Sequence, residues 1–216
     1  YSTIQDAIDA SSSGEHVCVA AGTYPEDLLF GSHTLSVEGV DGSGATSVKG
    51  TGTGPVVYIS GGAADLRFAG FTVSGGEDGY GAGVYAPYMD GELEDLDITE
   101  NSCTSGSGCY GVGLYAYGPL LVKDVTVSSN YAAPVVASGA GGSVYGAGAY
   151  FPTSASIENL KVSDNYVSST GVASGGYLYV YGAGAHFSSS SGTVDDVVVS
   201  GNYVYDASGS GAYVYV

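Results

Sequence analysis

The sequence predicts an all-β chain that folds as a β-solenoid, in which each sequence repeat forms one coil. Apolar residues at the spacing Φ-x-x-Φ-x-Φ occur five times among the 216 residues, and the copies begin 25, 29, 35 and 37 residues apart. The 37 glycines and 20 tyrosines favour strands and tight turns over helices. A repeat of this length is typical of coils that stack to bury one continuous core. The five copies begin at Phe68, Leu93, Val122, Ile157 and Val194.

The first predicted element is a short helix within residues 1–14. Ser2 and Gln5 have the spacing of a capping box, and Ile4 and Ile8 lie on one face of the helix that follows. The serines and the glycine that follow are expected to end the helix. A helix at this place would cover the apolar interior and the unpaired strand edge of the first coil.

The whole chain, residues 1–216, is predicted to be one domain. Residues 15–67 form the first coils, and residues 68–216 form the repeats of 25–37 residues. Residues 176–180 and 212–216 match at an offset of 36 residues, close to the repeat length. We therefore expect the chain to be a fragment of a longer polypeptide or a subunit that stacks end to end, because an open coil exposes unpaired backbone groups.

The opening of the chain carries a family resemblance. Residues 1–10 (YSTIQDAIDA) and 14–26 (GEHVCVAAGTYPE) resemble the N-terminal cap of pectin-lyase-like right-handed parallel β-helix proteins. The later coils are similar to polymorphic outer-membrane-protein-like repeats of bacterial surface proteins. Together these resemblances cover nearly the whole chain. They imply a right-handed parallel β-helix of three short sheets, and they raise polysaccharide cleavage as a function to weigh.

Gly-x-Gly segments accompany the later repeats and are predicted to be part of a strand. Alternation along the strand then places Val84, Leu114 and Ala149 inside. The alternate residues are expected to form one exterior aromatic column: Tyr85, Tyr115, Tyr150 and His186. A flanking exterior column is all glycine: Gly83, Gly113, Gly148 and Gly184. Bare backbone admits a close ligand and tyrosine rings stack on sugars, so this face is the candidate ligand-binding surface.

An asparagine follows the last apolar position of the four later repeats by three residues. These asparagines are Asn101, Asn130, Asn165 and Asn202. Asparagine tolerates left-handed backbone conformations, and stacked turns allow each side-chain amide to bond to the next coil. We expect a structural ladder at this position.

A second polar column lies within the apolar pattern itself and contains Asp95, Asp124, Asn159 and Asp196, with Gly70 in the first copy. Its simplest interpretation is a turn stabilised by each aspartate. Three carboxylates stacked on adjacent coils would repel one another, and a hard cation relieves such repulsion. The column is therefore also a hypothetical Ca²⁺ site, and no other cofactor is expected.

The three cysteines differ in their surroundings. Cys103 and Cys109 enclose a short polar loop, and their spacing permits a local disulfide. Cys18 lies between Val17 and Val19 and is expected to be a small buried apolar residue.

The charge balance excludes some partners. Four Lys and Arg residues against 22 Asp and Glu residues give a net charge of −18. This opposes binding to nucleic acid and to anionic membranes. No apolar stretch approaches the roughly 20 residues of a membrane helix, so no membrane insertion is expected.

These observations predict an extracellular or cell-surface structural β-helix, part of an adhesin, stalk or filament, that associates by coil stacking. No enzyme activity is expected, because Arg67 is the single arginine and no pair of carboxylates converges with a base. The alternative is a carbohydrate-binding or polysaccharide-cleaving β-helix that uses the aromatic column as its binding surface.

Overall fold

The structure is a computed structural model that describes residues 1–31, 34–60, 65–153, 155–188, 192–205 and 211–215. The chain folds as a parallel β-helix with one short helix near its N-terminus, as predicted. Every strand pair between coils is parallel and in register. Among the described residues, no helix is long and apolar enough to cross a membrane.

The elements follow in chain order. The first coils contain α1 (Ile4–Ala10), β1 (Glu15–Val19), β2 (Gly22–Tyr24), β3 (Leu28–Phe30), β4 (Leu35–Gly39), β5 (Thr46–Lys49), β6 (Val57–Ile59), β7 (Leu66–Ser74) and β8 (Val84–Pro87). The middle coils contain β9 (Gly91–Thr99), β10 (Ser102–Cys103), β11 (Gly108–Tyr110), β12 (Leu114–Tyr117), β13 (Leu121–Ser128), β14 (Tyr131–Ala132), β15 (Gly141–Tyr145) and β16 (Ala149–Phe151). The last coils contain β17 (Ser156–Ser163), β18 (Tyr166–Ser168), β19 (Tyr177–Tyr181), β20 (Ala185–Phe187), β21 (Val194–Ser200), β22 (Tyr203–Tyr205) and β23 (Gly211–Tyr215).

The described strands form four parallel sheets. Sheet 1 runs β1-β4-β7-β9-β13-β17-β21, with β2 and β5 beside it, and sheet 2 runs β10-β14-β18-β22. Sheet 3 runs β11-β15-β19-β23, and sheet 4 runs β3-β6-β8-β12-β16-β20. The three sheets that the family resemblance implies are too few, because the insertions at 102–109, 131–144 and 166–180 add the strands of sheets 2 and 3.

A left-handed residue bends each long strand of sheet 1 near its middle. In β9 this residue is Asp95, with φ of 48°, and it lies between Leu93 and Leu96. The bend turns both leucines inward, where they are buried, although they are three positions apart in the sequence. The Φ-x-x-Φ-x-Φ pattern therefore describes a bent strand whose spacing departs from two at the bend.

The apolar core has two parts. The larger part lies between sheets 1 and 4 and contains the repeat residues, including the fully buried Val127 and Val162. The smaller part lies behind sheets 2 and 3 and contains Val144, Val167 and Leu178. Because the insertions carry buried side chains of their own, they extend the core outward as the coils lengthen, and each buried Val or Leu contributes about 1.5–3 kcal/mol.

Helix α1 covers the strand edge at the start of the stack. Its N-cap is Thr3, whose Oγ1 accepts a hydrogen bond from the Asp6 N–H at 3.1 Å, so the expected Ser2 cap is wrong. The side chain of Gln5 turns toward β3 and bonds both the N–H and the carbonyl of Leu29, at 2.8 and 3.1 Å. Gln5 thereby pairs with backbone groups as a neighbouring strand would.

Cys18 is exposed, which corrects the expectation that it is buried. Val17 and Val19 point inward from β1, so the residue between them points outward. When only one face of a strand is buried, at least one of any three consecutive side chains points to the solvent, even if all three are apolar.

Candidate functional site

The asparagine ladder occupies the corner between sheets 1 and 2. The N–H and Nδ2 of Asn101 both donate to Oδ1 of Asn130, at 3.1 and 3.0 Å. Asn130 donates in the same way to Asn165, at 3.0 and 2.9 Å, and Asn165 to Asn202, at 2.9 Å in both bonds. Asn101, Asn130 and Asn165 are at most 1 % exposed. One side-chain type thus links four successive coils through the protein interior.

The remaining donor of each amide is also satisfied. Nδ2 of Asn130 donates to the carbonyl of Ser128, two residues earlier, and to that of Ile98 in the preceding coil, both at 3.0 Å. At the start of the ladder, where no asparagine precedes Asn101, the N–H of Gly76 donates to its Oδ1 at 3.0 Å. A buried amide is stable only when its polar atoms are paired, and stacking provides the pairing.

The glycine column faces inward and packs on this ladder, which corrects the expected bare exterior surface. A Cβ placed on Gly113 would lie 2.7 Å from Nδ2 of Asn130, and one placed on Gly148 would lie 2.7 Å from Nδ2 of Asn165. Gly83 and Gly184 have the same relation to their own asparagines. The Gly-x-Gly segments lie in turns before the strands of sheet 4, so the alternation of the strand does not extend back to them.

The four residues of the expected aromatic column lie side by side on sheet 4. Tyr85 pairs with Tyr115, Tyr115 with Tyr150, and Tyr150 with His186, and all four side chains are half-buried. The rings of neighbouring tyrosines meet edge to face, with centroids 5.2 Å apart for Tyr85–Tyr115 and 5.5 Å apart for Tyr115–Tyr150. The interplanar angles are 68° and 78°, so the column is not a flat platform.

A second aromatic column on sheet 3 packs against the first. It consists of Tyr80, Tyr110, Tyr145 and Tyr181. Its rings stack nearly parallel, with centroids 4.6 Å apart for Tyr80–Tyr110 and 4.5 Å apart for Tyr145–Tyr181. The two columns meet across the Gly-x-Gly turn, where the Tyr145 ring lies 5.5 Å from Tyr150. We call this pair of columns the aromatic corner.

Glycine makes the aromatic corner possible at the turn. Gly111 has a φ of 54°, and a Cβ there would lie 2.2 Å from the Leu114 carbonyl oxygen and 2.9 Å from the backbone nitrogen of Tyr150. Gly146 is in the same conformation with the same crowding. Only glycine fits a left-handed turn this close to the next coil.

The second column could have been found from the sequence. Tyr80, Tyr110, Tyr145 and Tyr181 each stand directly before a Gly-x-Gly segment. A third column on sheet 2, formed by Tyr131, Tyr166 and Tyr203, follows directly after three of the ladder asparagines. The full motif is therefore Tyr-Gly-x-Gly with an aromatic residue two positions after its last glycine.

Burial in the aromatic corner shifts several acid–base equilibria. Desolvation raises the pKa of Tyr115 to about 12, and the neighbouring phenols of Tyr85 and Tyr150 add to the shift. The pKa of Tyr145 is also raised, first by burial. Burial lowers the pKa of His186, which favours a neutral imidazole. The corner is thus a region of neutral, hydrogen-bonding aromatic rings.

The three carboxylates proposed to hold Ca²⁺ do not all lie on adjacent coils, which corrects that expectation: Asp95 and Asp124 are neighbours, but Asp196 is one coil further away. The register of sheet 1 places Asn159 between Asp124 and Asp196, and Asn159 Nδ2 donates to Asp124 at 2.6 Å. Asp95 accepts hydrogen bonds from the N–H and hydroxyl of Ser43. Within the described ranges, no group of three or more His, Cys, Asp or Glu side chains is placed to hold a metal ion. All four column members have φ between 48° and 54°, so they serve as bend residues.

Cys103 and Cys109 form a disulfide that closes the loop between β10 and β11. Both residues are fully buried and belong to the smaller part of the core. The link fixes the first strand of sheet 2 to the first strand of sheet 3.

Among the described strands, charged residues occur only in those of sheet 1. The strands of sheets 2, 3 and 4 contain no Asp, Glu, Lys or Arg, whereas those of sheet 1 contain many. Arg67, on sheet 1, forms ion pairs with Glu94 at 2.7 Å and with Glu38 and Glu92 at 3.5 Å. Lys123 pairs with Glu94 at 2.8 Å, and these two cations lower the pKa of Glu94. The single arginine is therefore engaged by three carboxylates.

Comparisons with protein-family models, with curated proteins and with solved structures each find no match. The function must therefore be argued from the fold and from these columns.

The ladder predicts a stability effect for Asn130→Ala. The change leaves the N–H of Asn101 and the carbonyl of Ile98 buried without their partner, so we expect a loss of about 3 kcal/mol in the free energy of unfolding. Asn159→Gly removes an amide from a column at the surface, at a left-handed residue whose conformation glycine tolerates, and should cost much less. Denaturant unfolding of both variants tests this, and equal losses would contradict the ladder's role.

The Tyr115 phenol predicts a stability loss in alkali. Its pKa is about 12 in the folded protein against an ordinary value of 10.0, so the fold favours the protonated form. This contribution is complete below pH 10 and is lost as the pH rises toward 12. Tyr115→Phe should therefore lose less stability than the wild type over this window, while Tyr88→Phe, at an exposed ring, should behave as the wild type does. Denaturation curves across that range provide the measurement, and parallel losses in all three proteins would refute the assignment.

Proposed function

We propose that this chain is a structural β-helix of an extracellular or cell-surface adhesin, stalk or filament. The observation that carries the proposal is the ladder from Asn101 to Asn202, which links four coils by the same bonds and places no reactive group at the surface. Aromatic and apolar columns repeat with the same register. Such regularity supports a role that depends on the stack as a whole, since a reaction needs a unique local cluster of groups.

The disulfide supports the extracellular location. Disulfides persist in oxidising compartments and are rare where thiols are kept reduced. The Cys103–Cys109 pair is buried, so it contributes to the fold as closure of a short loop, which is worth about 2 kcal/mol.

The proposed function includes membership of a structural class. The sequence of residues 1–26 resembles the cap of pectin-lyase-like proteins, and α1 covers the edge of β3 as such a cap would. We assign the chain to this class as a structural member. Its single arginine is occupied by three carboxylates, which argues against the lyase chemistry of other members.

Coil stacking is the proposed mode of association. In β21, Val199 is 52 % exposed, whereas Val162 and Val127, which occupy the same column in earlier coils, are fully buried. A further coil of the same type, supplied by a second copy or by further repeats of the same chain, would cover Val199 and extend the ladder from Asn202. Stacking of this kind adds length without changing the cross-section.

Small-angle X-ray scattering over a concentration series tests this function. We expect particles that lengthen with concentration at constant cross-section. Val199→Asp should abolish the growth, because it places a charge in the stacking surface. Val198→Asp is the matched control. Val198 is next to Val199 in the same strand and is 49 % exposed, but its side chain points to the outer side.

A glycan array run on the same proteins distinguishes the structural function from the alternative, which is carbohydrate binding. Specific glycan binding that Tyr85→Ala and Tyr150→Ala remove, by a particle that stays a monomer at every concentration, would overturn the structural proposal in favour of a carbohydrate-binding one.

A further inference from the structure

Seven tyrosines form two columns in which like rings face one another across adjacent coils. On sheet 3 the stacked pairs are Tyr80–Tyr110, with an interplanar angle of 5°, and Tyr145–Tyr181, with an angle of 11°. On sheet 2 the Tyr131 and Tyr166 rings are 4.4 Å apart at 25°. These are ring contacts, and several of the rings are reachable from solvent: Tyr80 is 45 % exposed and Tyr203 is 52 % exposed.

Parallel stacking brings together the ring carbons at which phenols couple. When two rings in register are related by a translation of about 4.5 Å, the carbon beside one hydroxyl group lies about that far from its counterpart. In the edge-to-face pair Tyr115–Tyr150, with an angle of 78°, the counterpart carbons diverge. Holding reactive groups together in this way raises their effective concentration by several orders of magnitude.

We propose that the stacked tyrosine columns of sheets 2 and 3 are sites of oxidative tyrosine–tyrosine cross-linking between adjacent coils. The linked pairs are Tyr80–Tyr110, Tyr145–Tyr181 and Tyr131–Tyr166. This inference goes beyond the structural function and does not depend on it, because the coupling is a property of the ring pairs.

The chemistry balances with a peroxide as oxidant and a haem peroxidase as the one-electron carrier. Each of two phenols loses one electron and its hydroxyl proton and becomes a tyrosyl radical. The radicals form a carbon–carbon bond between the positions beside their hydroxyls, and the hydrogen on each of those carbons then returns to the oxygen as a proton. The two electrons and two protons released convert one hydrogen peroxide into two water molecules.

The local contacts suit this reaction. The Tyr110 hydroxyl lies 3.3 Å from the Ser143 Oγ, which can take part in moving the phenol proton. Tyr80, the outermost member of its column, is the point of entry for the oxidant, and the radical can pass along rings 4.6 and 5.3 Å apart. The link would join residues about 30 positions apart in sequence and so restrain the unfolded chain as a disulfide does.

The test treats dilute folded protein with horseradish-type peroxidase and hydrogen peroxide and maps the products by tandem mass spectrometry. We expect links within single chains that lack two hydrogen atoms each, with the three stacked pairs whose centroids lie within 4.6 Å exceeding any edge-to-face tyrosine pair roughly tenfold. Cross-linked protein should also melt at a higher temperature than the starting material.

Matched variants separate stacking from exposure. Tyr110→Phe should abolish the link to Tyr80 and leave the Tyr131–Tyr166 link unchanged, and Tyr24→Phe should change neither. Circular dichroism verifies that each variant is folded. Products made mainly through Tyr88, which is 67 % exposed, or made equally well by urea-unfolded chains, would overturn the proposal, as would the absence of any link within a chain.

Discussion

The asparagine ladder is the interaction on which the rest of the structure depends. Three of the four amides are fully buried, where an unpaired polar group costs about 1–3 kcal/mol, and each of these three bonds to the asparagine of the next coil as well as to carbonyls of its own and the preceding coil. The last glycines of the Gly-x-Gly turns, which precede the strands of sheet 4, leave the space that these amides occupy. Ladder and glycines are therefore one device: neither column can change residue type unless the other changes with it. In the four coils that carry it, this device fixes one residue per coil and thereby favours one register for the strands beside it.

The aromatic corner follows from the same glycine segments. The left-handed glycine that opens each Gly-x-Gly turn brings sheets 3 and 4 close enough for two tyrosine columns to interlock. Half-buried phenols with raised pKa values, and a charge-free set of strands around them, make this side of the molecule neutral and aromatic. Among the described strands, only those of sheet 1 carry acidic groups, and there Arg67 and Lys123 offset part of their repulsion.

Much of the fold could be predicted from the sequence because two periods govern it: the two-residue alternation along a strand and the repeat of 25–37 residues that forms one coil. The apolar pattern located the strands of sheet 1, and the asparagine that follows each copy located the ladder position. Prediction failed where the chain leaves the strand. Alternation was extended through Gly83 and its equivalents, although these residues lie in a turn and face the core. Similarly, Cys18 was judged by its apolar neighbours, although alternation places it outside.

The candidate site was predicted only in part, for a related reason. Alternation along the strand predicts the aromatic column on sheet 4. The second aromatic column, on sheet 3, depends on how the Gly-x-Gly turn folds back, and the two-residue period of a strand does not predict that. The Ca²⁺ hypothesis treated Asp124 and Asp196 as neighbours, whereas Asn159 lies between them in the stack and bonds to Asp124. Stacked columns must be compared in coil order, since each member contacts only the coils directly before and after it.

Hydrogen exchange of the asparagine side-chain amides, followed by nuclear magnetic resonance, tests the central claim most directly. If the ladder holds the coils together, the Nδ2 protons of Asn130 and Asn165 should exchange only through global unfolding, at the rate of the slowest backbone amides. The Nδ2 protons of Asn159, at the surface, should exchange much faster. Exchange of the Asn130 amide as fast as that of Asn159 would contradict the claim.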